Sequence, residues 1–199
     1  MPIKVRKKRD YRPHSEAIHG ARVLLRLSEE QKKGCFYQWM GSLLLCAFAY
    51  EGYLNFLGRK LLPSWEDFER QMSWRSKTKL IADYIALKLD EEAEPFKSVK
   101  QLFKFRDQIA HPKPKEMEEE FETTNEKLES VFYENTKSDE EIFCSEANAK
   151  LCIERVEQMM ELLFNQARAK YESVNKYDDS FILNAPFVNS GQSGSAHYG

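Results

Sequence analysis

Phe36-Tyr37-Gln38-Trp39-Met40-Gly41-Ser42-Leu43-Leu44-Leu45-Cys46-Ala47-Phe48-Ala49-Tyr50-Glu51-Gly52-Tyr53-Leu54-Asn55-Phe56-Leu57 decides the fold. Its only formal charge is Glu51, and the basic pairs Lys32-Lys33 and Arg59-Lys60 flank it, so it imitates a membrane span. A lone span would leave Glu51, Asn55, Gln38 and Ser42 in lipid with no second hydrophobic segment to supply partners. The stretch therefore reads as a central, almost fully buried helix of a globular protein. Met40, Leu44, Ala47, Leu54 and Leu57 are its expected core residues, and Glu51 and Asn55, four apart, share one face.

Working outward, the periodic signals are helical throughout. Ser15 to about Lys33 predicts a first helix, with Ser15 as cap and Ile18, Val23, Leu24 and Leu27 among its apolar positions; Gly34 separates it from the central helix. Arg75 to Leu89 predicts a third helix through Leu80, Ile81, Tyr84, Ile85 and Leu87. Glu91 to His111 predicts a fourth, with Pro95 in its first turn and Phe96, Val99, Leu102, Phe103, Phe105 and Ile109 inward. Ala147 to about Tyr171 predicts a last long helix, carrying Leu151, Ile153, Val156, Met159, Met160, Leu162, Leu163 and Phe164. No run of alternating strands competes, so the expected fold is all-α, an up-and-down helical bundle of about five helices. A domain over residues 15–172 is expected, between a basic flexible N-terminus (1–14) and a flexible tail (173–199) rich in Asn, Ser, Gly and Asp, in which His197 is expected to be inert.

A chain of 199 residues with 42% hydrophobic side chains can bury a full core, which sets it apart from disordered chains. Its four cysteines, Cys35, Cys46, Cys144 and Cys152, make no CxxC pair and no ligand spacing with the histidines. Neither a zinc site nor any other metal or cofactor is expected, and reduced thiols in a cytoplasmic protein are. No apolar core or cleavage site follows the basic N-terminus, so a secretory leader is not expected. The net charge of −2 hides an asymmetry. Lys4, Arg6, Lys7, Lys8, Arg9 and Arg12 oppose only Asp10, a pattern open to a nucleic-acid arm or a solubilising terminus. Residues 115–146 hold twelve acidic side chains against three basic ones, which argues against a uniformly basic surface. This acidic insert is expected to be a solvated loop or to carry a short helix, docked by Phe121, Leu128, Val131, Phe132 or Tyr133. There is no internal repeat, glycine-rich phosphate loop or G-x-S-x-G elbow.

Chemistry concentrates in Arg106-Asp107-Gln108-Ile109-Ala110-His111, which Pro112 places at a helix end. Asp107 and His111, four apart, lie on one face, where the carboxylate can orient the imidazole. The unpaired carbonyls of the last turn favour a protonated ring. An imidazole beside a permanent guanidinium suits acid/base work on a phosphate. A plain structural cap explains the same pair, Arg106 can be a surface cation, and Glu51 can be a polar tie between helices. The aromatic residues Phe36, Tyr37, Trp39, Phe48, Tyr50, Tyr53 and Phe56 read as core rather than as a stacking platform, whereas Trp65 and Trp74 can either cover the bundle or line a cleft.

The arginine-to-histidine spacing at the end of a helix in an all-α chain resembles the R-x4-6-H motif of HEPN domains. The helix from Leu43 to Leu57, an apolar run broken by Glu51 and then Asn55, is similar to the second core helix of that family. The resemblance spans roughly residues 15–171, and those two segments are its specific part. It implies a metal-independent endoribonuclease that works as a homodimer, with two R-x4-6-H helices facing each other across one cleft. His111 would act on the ribose 2'-hydroxyl or the leaving oxygen, Arg106 would stabilise the phosphorane, Asp107 would be the polar residue after the arginine, and Glu51 and Asn55 would support the motif from the core helix. Lys104 and Lys113 flank the motif as RNA-binding candidates. A toxin or antiphage role is implied, with RNA as substrate, single-stranded loops being the most accessible form of it, and with any antitoxin or regulator separately encoded. The rival from another class is a non-catalytic module of the same kind that binds RNA, nucleotide or a protein partner. A purely structural helical dimer is the third reading.

Overall fold

The computed structural model describes residues 4–9, 11–31, 33–118, 120, 136–174 and 192–197, and most of them are helical. Five helices longer than ten residues make the body: α1 (Pro13–Glu30), α2 (Cys35–Leu61), α4 (Trp74–Tyr84), α5 (Phe96–Ala110) and α7 (Glu146–Val174). Two single turns, α3 (Trp65–Phe68) and α6 (Asp139–Phe143), are the other helices among the described residues. The strand pairing among the described residues is one antiparallel ribbon of the terminal segments, β1 (Lys4–Arg9) with β2 (Gln192–His197). The all-α expectation holds, and no described helix is long and apolar enough to cross a membrane. Residues 175–191 of the expected tail lie outside the described residues, as do Phe121, Leu128, Val131, Phe132 and Tyr133 of the acidic insert. The short helix expected in that insert exists at α6, where Ser138 and Glu141 close a reciprocal capping box.

The quoted apolar stretch is the hub: α2 packs against α1, α3, α4, α5 and α7. Its fully buried side chains, Leu43, Cys46, Ala47, Tyr50, Tyr53, Leu54 and Leu57, recur every three or four residues, so one broad stripe meets several neighbours. Met40 and Leu44 sit at the edge of the core rather than in it. The expectation of nearly complete burial also fails at Tyr37 and Phe48, which are 70% and 52% exposed, because no described element covers that side of α2. Against α1 the contact is close. Leu45 seats on Gly20 and Leu24 on Gly41, where a Cβ would come within 3.0 Å and 2.8 Å of the leucine methyls. Polar ties fix the same pair of helices: Ser42 Oγ donates to the Ala21 carbonyl at 2.8 Å, and Trp39 Nε1 donates to Ser28 Oγ at 2.9 Å.

Several helix ends depart from their expected places. Pro13 occupies the first turn of α1, where its missing N–H costs nothing, so the helix starts two residues before Ser15. Ser15 is buried in that turn rather than capping it, and Arg12 and His14 are buried too, which draws the end of the basic terminus into the body. Helix α4 stops at Tyr84, not Leu89. Ala86 adopts a left-handed φ of 56°, and the Leu87 N–H closes back on the Ala82 carbonyl at 2.8 Å, a Schellman-type stop without the usual glycine. Helix α5 starts at Phe96, with Pro95 as its N-cap, instead of at Glu91. Ile81, Val156, Met159, Met160 and Leu163 within the helices, and Ile85 at the C-cap of α4, are core as expected, whereas Leu27, Leu80, Tyr84 and Leu162 are exposed.

Trp65 settles one of the two open tryptophans. It is 1% exposed and lies on Gly58 near the end of α2, so it covers the bundle. A Cβ at Gly58 would fall inside the indole. Gly58→Ala should therefore cost stability by about 1–3 kcal/mol through overpacking, seen as a lower urea midpoint at unchanged m-value.

Candidate functional site

The motif ends α5 as expected, but His111 is the C-cap, outside the last helical turn, with its backbone N–H bonded to the Asp107 carbonyl at 3.0 Å. The side-chain pairing differs from the expectation. Asp107 Oδ1 lies 3.3 Å from Arg106 Nε, and no hydrogen bond or ion pair joins the Asp107 carboxylate to the His111 ring. The neighbouring guanidinium, permanently charged and closer, takes the carboxylate that the i,i+4 spacing had assigned to the imidazole.

Glu51 does reach the motif. Its Oε2 lies 3.6 Å from Arg106 Nη2, and its Oε1 accepts from Lys77 Nζ at 3.2 Å. Lys77, on α4, is 4% exposed, so its ammonium is an almost fully buried charge with this carboxylate as partner. Lys77, Glu51, Arg106 and Asp107 thus form an alternating chain of charges across α4, α2 and α5. Lys77 holds the nearer oxygen of Glu51, while the 3.6 Å contact to Arg106 is longer than the roughly 2.7–2.9 Å of a charge-assisted hydrogen bond. Arg106 Nε is buried without a hydrogen-bonded acceptor, and the guanidinium carbon stands 4.9 Å from the centre of the Phe103 ring. Asn55, one turn beyond Glu51, forms no hydrogen bond to the motif, and its Oδ1 is buried without a partner.

A cleft of about 920 Å³ opens beside α5. Asp107, His111, Lys104 and Lys113 line it as their grouping in the sequence implies, together with Arg75, Lys97, Lys100 and Lys115. Arg106, Glu51 and Asn55 do not line it, so Arg106 and Glu51 lie in the charge chain away from the cleft, Asp107 belongs to both, and Asn55 to neither. Three carboxylates, Glu92, Asp107 and Glu140, stand among the cations. Glu92 pairs with Lys100 at 2.6 Å and Glu140 pairs with Lys115. The lysine contact pulls the Glu140 carboxyl below its ordinary range. Trp74, the second open tryptophan, lines the cleft and stacks on Phe103 with ring centroids 4.2 Å apart and planes 16° apart.

Lys77 is the residue that sequence reasoning misses, because a lysine on a short polar-looking helix carries no mark of burial. The cleft lysines do leave a signal: Lys97, Lys100, Gln101, Lys104, Gln108 and His111 fall on one face of α5. All four cysteines are free thiols. Burial raises Cys46 well above the ordinary thiol value and pushes Cys144 up to about 11 and Cys152 up to about 12, so none of these three is a poised nucleophile. Among the described residues no three His, Cys, Asp or Glu side chains are grouped to hold a metal ion. No family model matches the chain, and neither a curated protein nor a solved structure does.

The charge chain can be checked by its stability. Glu51→Gln strands the Lys77 ammonium and should cost about 1.5–3 kcal/mol, the worth of a hydrogen bond to a charged group. In a double-mutant cycle on urea unfolding, Lys77→Met combined with Glu51→Gln should cost clearly less than the two single changes added together.

Proposed function

We propose that this chain is a HEPN-like domain that cleaves RNA without a metal, as a homodimer with a composite cleft, in the cytoplasm as a toxin or antiphage effector. The observation that carries the reading is the contact of Arg106 on α5 with Glu51 on α2. The two segments on which the family resemblance rests are 55 positions apart in sequence and adjacent in space. A chance R-x4-H at a helix end has no reason to meet the one carboxylate of the central helix.

The chemistry follows from these groups. The ribose 2'-hydroxyl gives its proton to one His111, its oxygen attacks phosphorus, and the bond to the 5'-oxygen breaks as that oxygen takes a proton from a second imidazole. A 2',3'-cyclic phosphate and a 5'-hydroxyl result. Arg106, loosely held by Glu51, offsets the extra charge of the phosphorane. Arg106 and His111 lie about 140° apart around α5 at 3.6 residues per turn. One chain therefore does not converge them, and His111 of the partner subunit would complete the site across a two-fold axis.

One observation favours the non-catalytic reading. Asp107 is spent on Arg106, so among the described residues no carboxylate is paired with the His111 ring to fix its tautomer, while the cleft beside it is rich in lysine.

Purified protein incubated with total RNA in EDTA should cut it. Arg106→Ala and His111→Ala should each lower the rate about a hundredfold or more with helical circular dichroism unchanged. Equal cutting by all three proteins would sink the ribonuclease reading, and a monomer by sedimentation at micromolar concentration would remove the composite cleft. A wild type that binds RNA and leaves it intact would establish the binding module instead.

A further inference from the structure

We infer that the α5 cleft is a track for single-stranded RNA, in which Trp74 is a base-stacking platform and Lys97, Lys104 and Lys113 are phosphate contacts. The inference rests on the ribonuclease reading only for what happens where the track meets His111; the binding itself stands apart from cleavage.

The first argument is charge that the protein leaves unused. Three of the six cleft cations are engaged: Lys100 with Glu92, Lys115 with Glu140, and Arg75 with Glu91. Lys97, Lys104 and Lys113 line the same cleft with no ion-pair partner among the described residues, although an acidic insert begins only a few residues beyond. Three unpaired ammonium groups in one concave site repel one another and raise the local positive potential, an arrangement that a polyanion relieves.

The second argument is their order. Lys97, Lys104 and His111 follow one another at intervals of seven residues, two helical turns, so they form a row along α5 and not a cluster. Lys97 to His111 spans about 21 Å at 1.5 Å per residue, room for roughly six phosphates of a stacked strand at about 3.4 Å each. A small anion such as free phosphate would need converging donors; a row of separated donors matches a chain of phosphates.

The third argument is the aromatic wall. Trp74 is partly exposed on the cleft and is backed by Phe103, stacked at 4.2 Å, with Phe96 at 6.0 Å. An indole held in place by rings behind it loses little side-chain freedom when a base lies on it, and such stacking is worth about 1–3 kcal/mol per base without regard to sequence. Bases in a duplex are already stacked and present no face to it, which sets the preference for single strands. Glu92, Asp107 and Glu140 on the cleft work against any anion, so the affinity rests on the unpaired lysines, whose phosphate contacts set the salt dependence.

Fluorescence anisotropy with a fluorescein-labelled, fully 2'-O-methylated single-stranded RNA 12-mer tests the track on the wild-type protein, because the blocked 2'-oxygen cannot attack. Lys97→Glu/Lys104→Glu should weaken binding at least tenfold and flatten the slope of log affinity against log salt by about one to two units. Lys33→Glu/Lys60→Glu changes net charge equally on exposed positions outside the cleft and should bind like wild type. The 12-mer should also quench tryptophan emission, and Trp74→Phe should remove most of that quenching. Unchanged binding by Lys97→Glu/Lys104→Glu, equal loss in the two charge-matched variants, or tighter binding of the same sequence as a duplex would each overturn the track. Track and ribonuclease also part company in the outcomes. Strand binding that requires Lys97 and Lys104, with no cutting of unmodified RNA, keeps the track and removes the ribonuclease. Cutting that proceeds in Lys97→Glu/Lys104→Glu with unchanged KM keeps the ribonuclease and removes the track.

Discussion

A carboxylate sits in the most apolar helix of this protein, and the rest of the structure is arranged around the need to compensate it. Glu51 is 31% exposed beside the buried Tyr50, Tyr53 and Leu54, and a charge partly withdrawn from water there is favoured by cationic partners. The protein answers with two cations from two other helices, Lys77 from α4 and Arg106 from α5. That demand places both helices on the same side of α2, and the Tyr50 hydroxyl, hydrogen-bonded to Thr78 at 3.1 Å, anchors α4 at the residue next to Lys77. Burying such a network does not by itself add stability over an apolar core of equal volume. What it fixes is position: the guanidinium of Arg106 is tied to α2 rather than free on the surface.

The aromatic residues divide the same region into two environments. Phe103 takes the Trp74 ring at one contact and the Arg106 guanidinium at another, so a single side chain of α5 separates the cleft from the charge chain. Lysines and His111 occupy the cleft side; Glu51 and Lys77 occupy the other. The angular offset between Arg106 and His111 on one helix produces this division, and it is the geometric reason that a single chain presents half of a site under the ribonuclease proposal.

Much of this is legible in the sequence, and what is not has identifiable causes. The 3.6-residue periodicity of α2 and α7, together with the absence of strand patterns, is a strong signal, and the lone charge between Phe36 and Leu57 by itself marks Glu51 as needing a partner. The end of α4 is hidden because Ala86 takes a left-handed turn that sequence leads one to expect only of glycine or asparagine. Burial of Lys77 is hidden because its cause lies 26 residues away in α2. Helical spacing gives Asp107 to His111, but spacing cannot weigh an imidazole against an adjacent guanidinium that is always charged. Tyr37 and Phe48 are expected in the core because composition shows that a helix is apolar without showing whether a neighbour exists to cover each side of it.

The three-helix charge chain also ties chemical competence to assembly. Its members come from positions 51, 77 and 106–107, on three different helices, and the links to Glu51 form only when α2, α4 and α5 have packed. A nascent or partly unfolded chain contains the motif as written sequence but not Arg106 held against Glu51. Any property that depends on that placement requires all three helices to be packed and is lost when α4 or α5 loosens, so the group acts as a built-in check on the integrity of these three helices.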